Sequence, residues 1–245
     1  MARTKNPAER WLWYTPKTSV CVPLDWAAYP TTAFGSETRP FPSWACQSPN
    51  GGIHIDRRVM RIDVEAAKAP TSRIELNWTC TYGVRVVAKS WLDEIRDLID
   101  ESRIGIGEVR RGGRPLAKWA TLQEANAPAL FGARGWASQC PICRDILTMR
   151  DGRLFFADPS VVGRPLIVNG NGVFVREDLA LARNLRTPVG AFKPTVVKFL
   201  AHPPPIRAEP DWSAGSSSDR PHRDGPSSPT ALSRALEAVR KFLHW

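Results

Sequence analysis

The sequence predicts an α+β fold: a mixed, mainly antiparallel sheet with two or three packed helices and a Pro/Ser-rich carboxy-terminal tail. Three observations predict it. Short apolar segments alternate with polar residues at a period of two, the pattern of half-buried strands. Two stretches instead repeat their apolar residues at helical spacing. From His202 the composition turns abruptly to proline and serine, with Pro203-Pro204-Pro205 and Ser216-Ser217-Ser218. Such a stretch buries too little apolar surface to offset its ordering entropy.

At 245 residues, 42% hydrophobic and 24% charged, the chain can bury a sizeable core. It divides into a globular domain over 1–201, a disordered linker over 202–229 and an amphipathic helix over 230–245. The last is marked by Leu232, Ala235, Leu236, Val239, Phe242 and Leu243. No apolar run reaches the roughly 18 residues of a membrane-spanning helix. Pro16, Lys17, Pro23 and Asp25 break any signal-peptide core, so cytoplasmic residence is the expectation.

Taken in order, residues 1–50 combine Trp11, Trp13, Trp26 and Trp44 with six prolines between Pro16 and Pro49, which forbids long helices and predicts an extended wrap pinned by tryptophan. Alternation around Ile53-His54-Ile55, Arg61-Ile62-Asp63-Val64 and Ile74-Glu75-Leu76-Asn77-Trp78 predicts strands, and Val84-Arg85-Val86-Val87 adds another. A helix is predicted over 90–102, with Ser90 as its cap and Trp91, Ile95, Leu98 and Ile99 as its apolar stripe.

The other face of that helix is acidic, with Asp93, Glu94, Asp97, Asp100 and Glu101. It reads as a solvated exterior or as a docking face for a basic partner. The following Gly105, Gly107, Gly112 and Gly113 do not follow the dinucleotide fingerprint. They predict an exposed hairpin tip carrying Arg110, Arg111 and Arg114, whose guanidinium forks also suit phosphate or carboxylate.

Residues 140–200 form a knuckle-strand-helix-strand unit. Cys140-Pro141-Ile142-Cys143 opens it, Leu154-Phe155-Phe156 and Pro165-Leu166-Ile167-Val168 follow, and a helix begins near Glu177 with acids in its first turn. Thr195-Val196-Val197-Lys198-Phe199-Leu200 closes the unit after Pro194. Cys140 and Cys143 have metal-ligand spacing. They read first as a turn carrying two free thiols, and second as half of a tetrahedral zinc site completed by Cys21, Cys46, Cys80 or a distant histidine. Five unevenly spaced cysteines fit reduced thiols rather than a disulfide scaffold.

In the order Cys140-to-Cys143 knuckle, apolar strand, Val173-Phe174-Val175-Arg176-Glu177-Asp178-Leu179 and Val189-Gly190-Ala191-Phe192-Lys193-Pro194, the chain resembles bacterial polymorphic-toxin immunity proteins of the double-CXXCG-motif family and its relatives. It departs from the family pattern in having Arg144 where glycine follows the second cysteine, and in lacking a second Cys-x-x-Cys near the amino terminus. The resemblance implies a binding protein whose partner is a cognate toxin protein.

The sequence holds no Gly-x-Ser-x-Gly, no His-Glu-x-x-His and no deaminase signature, and three of its four histidines fall at or beyond His202. The expectation is therefore a non-catalytic immunity protein without a cofactor other than the zinc considered above. Its net charge of +10 also admits a second reading, a nucleic-acid-binding protein with a degenerate zinc ribbon.

Overall fold

Two six-stranded sheets carry the fold, and period-two alternation gives each of them two buried faces. In this computed structural model the described residues are 9–17, 21–34, 37–47, 53–80, 83–133, 136–148, 152–204 and 207–208. They belong to one unit, Met1–Glu209. The helix expected over 230–245 and nearly all of the linker expected over 202–229 lie outside them.

The first sheet runs Leu130–Gly132, Leu154–Phe156, Thr195–Phe199, Arg10–Tyr14, Gly172–Arg176, Leu166–Asn169. Arg10–Tyr14 is an inner strand, paired antiparallel on both sides, so the amino-terminal tryptophan segment completes the unit formed by 140–200. The second sheet runs Cys21–Val22, Leu76–Thr79, Arg85–Ala88, Arg114–Glu124, Ile104–Arg111, Val64–Glu65. Its edge strands Cys21–Val22 and Val64–Glu65 pair parallel, the rest antiparallel.

The alternation is visible residue by residue. Tyr14, Val173 and Val175 face Leu76, Val87 and Leu122 across one shared core. Trp11, Phe174 and Val197 point the other way, where Trp11 meets Phe156 edge-on at 5.6 Å and Phe156 meets Phe174 at 5.0 Å. On the far side of the second sheet Val84, Val86 and Val109 bury against Trp44, Ala45 and Ile55. Gly105 and Gly107 have a packing role: a side chain at either would collide with the backbone of Met60–Ile62.

The fold is mainly β, 42% strand against 12% helix, which corrects the α+β expectation and its two or three packed helices. Within 1–201 each stretch of helical spacing yields one six-residue α-helix, α1 (Lys89–Glu94) and α2 (Glu177–Ala182). A helix that short is unstable in isolation. In α1 Trp91 and Leu92 are fully buried, and Ile95 and Leu98 reach the same core only after the backbone leaves the helix at Ile95 and continues as a 3-10 turn. Ser90, expected to cap the helix, instead donates its hydroxyl to Glu75 Oε1 at 3.3 Å, and Ala88 occupies the cap position.

Cys21 and Cys80, expected as reduced thiols, are joined as a disulfide with Cα atoms 5.0 Å apart. The bond ties the two-residue edge strand Cys21–Val22 to the end of Leu76–Thr79. Among the described residues no helix is long and apolar enough to cross a membrane.

Candidate metal centre

A hairpin of Ala45–Gln47 against Ile53–Ile55 supplies half of the centre. Its register pairs Ala45 with Ile55 and Cys46 with His54. Because successive side chains alternate between faces, Ala45 and Ile55 enter the core beneath the second sheet while Cys46 and His54 share the opposite face.

The knuckle supplies the other half. The Arg144 N–H donates to the Cys140 carbonyl at 2.9 Å and the Cys140 N–H donates to the Asp145 carbonyl at 2.8 Å, closing a tight turn. The turn requires Arg144 at φ +65°, a left-handed conformation that glycine adopts without strain. Arg57 Nη1 and Gln139 Nε2 donate to the Arg144 carbonyl at 2.9 and 3.2 Å, holding the turn against the hairpin side of the molecule.

Together these elements bring Cys46, His54, Cys140 and Cys143 to one point, with all four ligand atoms within 4.8 Å of one another, and this donor set could hold a metal ion. Cys46 Sγ lies 3.8 Å from Cys140 Sγ, and His54 Nε2 lies 3.1 Å from Cys143 Sγ. The three cysteines are buried to within 5% of full enclosure and form their own small cluster. The buried Nδ1 of His54 meets no partner among the described residues.

The electrostatics fit a cation. Burial, then contact with the Cys143 and Cys140 thiols, pushes the Cys46 thiol up to about 12, because neighbouring sulfurs disfavour a thiolate there. Burial also opposes ionisation of Cys140, yet the backbone N–H groups of Cys143 and Ile142 aim at its sulfur and bring it below its ordinary value. Three sulfurs at such distances ionise together only when a positive ion compensates them.

The other residues singled out from sequence lie elsewhere, and half of them are engaged within the chain. Glu94 binds Arg186 at 2.7 Å, Asp97 binds Arg183 at 2.5 Å, and Asp100 lies 3.4 Å from Arg103 and accepts from the Ser102 hydroxyl. Arg110 is held by Glu108 at 2.8 Å and Asp63 at 3.7 Å. Asp93, Glu101, Arg111 and Arg114 are exposed. The last two flank the Gly112-Gly113 turn, both glycines at positive φ, at the tip of the long hairpin.

A cavity of about 200 Å³ adjoins the centre, lined by His54, Arg57, Gln123, Glu124, Asp145 and Asn169 among others. Its most buried acid is engaged: Glu124 binds Arg164 and accepts the Val168 N–H at 2.8 Å. Burial raises Glu124 above the usual carboxylate range even against that arginine. The Asn169 amide donates to the Pro128 carbonyl and accepts from the Asn171 N–H.

Sequence spacing found Cys140 and Cys143 and left Cys46 as one of several completing ligands, without identifying His54. A signal for both was present. Pro49-Asn50-Gly51-Gly52 is a turn-forming run, and folding a hairpin about it sets positions 46 and 54 opposite each other. No protein-family model matches this chain, and no curated protein matches it in sequence.

Proposed function

We propose that the chain is a non-catalytic binding protein, built around a structural zinc ion, that neutralises a cognate bacterial toxin by direct protein–protein contact. The observation that carries it is the closed donor set. Three thiolates and one imidazole fill all four positions of a tetrahedral ion and leave none for a reacting molecule, the mark of structural rather than catalytic zinc. Zinc–sulfur bonds of about 2.3 Å set a tetrahedral sulfur–sulfur edge of about 3.8 Å, the separation of Cys46 and Cys140.

The immunity reading draws on the family resemblance, and two features of the knuckle unit support it. Arg144 takes up the left-handed backbone at the position where the family has glycine. Gly172–Arg176 passes without a loop into α2 at Glu177, with Glu177 and Asp178 in its first turn. The hairpin bearing Cys46 and His54 stands in for the second Cys-x-x-Cys.

Co-expression with the product of a toxin gene, if one neighbours this gene, tests this. Restored growth of the host supports the reading, and undiminished toxicity alongside a soluble, zinc-loaded protein overturns it. The exposed Arg111 and Arg114 favour a second reading, nucleic-acid binding, which predicts retention on duplex DNA at low salt that falls steeply as salt rises.

A further inference from the structure

A groove of about 260 Å³ runs between α1 and the Ile104–Arg111/Arg114–Glu124 hairpin. Its apolar lining includes the half-buried Ile106 and Leu116 above the buried Leu92 and Trp119, and its rim carries Lys89, Asp93 and Arg96 from α1 and the following turn. The volume lies below the roughly 300–1,000 Å³ of pockets that take whole small ligands. It suits one or two inserted side chains, the usual anchor of a protein partner.

The rim charges are unspent. The side chains of Lys89, Asp93 and Arg96 make no ion pair or hydrogen bond among the described residues, whereas Glu94 and Asp97, next to Asp93 and Arg96 in the chain, are each held by an arginine. Arg61 and Glu108, at the other wall, are likewise engaged with Asp63 and Arg110. Beyond the groove the same hairpin carries Arg111, Arg114 and Lys118, all exposed. Among the described residues that line the groove, the side chains of Lys89 and Arg96 without an ion pair therefore outnumber the one such acid, Asp93.

We propose that this groove docks an acidic protein surface, taking one apolar side chain against the half-buried Ile106 and Leu116 while carboxylates on either side of it meet Lys89 and Arg96. The proposal rests on the protein-binding reading above and names the chemistry of the partner's contact face. It also reassigns the helix face: the acids Glu94 and Asp97 are internal ties, and recognition falls to the cations beside them. Rim charges of this kind set the encounter rate and the salt dependence, and the inserted side chain sets the residence time.

The test is a nuclear magnetic resonance titration of the full zinc-loaded chain with a short peptide bearing one leucine flanked by glutamates. The expected result is amide shifts confined to α1, the Arg96–Leu98 turn and the two hairpin strands, weakening as salt is raised. A Lys89→Glu/Arg96→Glu variant, changed only at exposed positions, should keep the spectrum of the folded protein and bind about ten-fold more weakly. Leu116→Ser should weaken binding without removing its salt dependence.

Absence of shifts, shifts of equal size with a lysine-flanked peptide, or tighter binding of duplex DNA to the same residues would each overturn the proposal. The peptide readout is independent of any toxin. A variant that no longer binds peptide yet still protects the host removes the groove and leaves the proposed function standing; a wild-type chain that binds peptide but gives no protection does the reverse.

Discussion

The corner around the knuckle and the interior between the sheets hold themselves together by different means. Between and around the sheets Trp11, Tyr14, Phe156, Phe174 and Trp91 are wholly enclosed, and their apolar area carries the stability. At the corner the buried cluster is three cysteines, with a half-buried histidine beside them. Those groups gain little from leaving water unless a cation joins them, and they come from segments 94 residues apart. One region is held by area, the other by ligation, and the two should fail separately.

The sharpest break is at a ligand. Cys143→Ser should abolish stoichiometric metal binding and cost the corner on the order of 5 kcal/mol or more. Hydrogen exchange should then rise across the Ala45–Gln47/Ile53–Ile55 hairpin and the knuckle while Arg10–Tyr14 stays protected. Equal loss of protection in both regions would erase the distinction.

The complementary change is Trp11→Ala, which empties a fully buried site against Phe156. It should lower global stability by roughly 3–5 kcal/mol in denaturant melts, with metal content per folded chain unchanged.

A smaller effect comes from Glu75. Hydrogen bonds from Arg186, opposed by burial and reinforced by the Val189 N–H, hold its carboxyl down from 4.5 to about 2. Since the folded value is depressed, the group contributes stability that is fully present above about pH 4.5 and is lost as pH falls toward about 2. The melting-temperature gap between wild type and Glu75→Gln should accordingly narrow through that window, and a gap independent of pH would count against the tie.

The smallest effect is Arg144→Gly. It relieves a left-handed backbone at φ +65° and should stabilise the metal corner by about 1 kcal/mol or less, leaving the sheets untouched.

Much of the sheet architecture was legible because it is written in a period of two. Val84, Val86 and Val87, or Val173, Phe174 and Val175, announce strands and separate into opposite cores as alternation requires. The helix content was overread for a physical reason. Trp91, Ile95 and Leu98 have helical spacing, but α1 followed by a 3-10 turn buries all three just as well. The acidic face was misleading in a related way, because partners such as Arg183 and Arg186 lie some 90 residues further along the chain and no local pattern points to them. Half the metal centre showed in Cys-x-x-Cys spacing. The other half depended on hairpin register, which sequence suggests only through the turn residues between Cys46 and His54.

Elemental analysis of the purified chain, paired with thiol alkylation before and after chelation, bears most directly on the metal corner. The expected result is one zinc per chain, with Cys46, Cys140 and Cys143 shielded from reagent until the metal is withdrawn and reactive afterwards. A folded, metal-free chain whose three thiols react alike with and without chelator would contradict it.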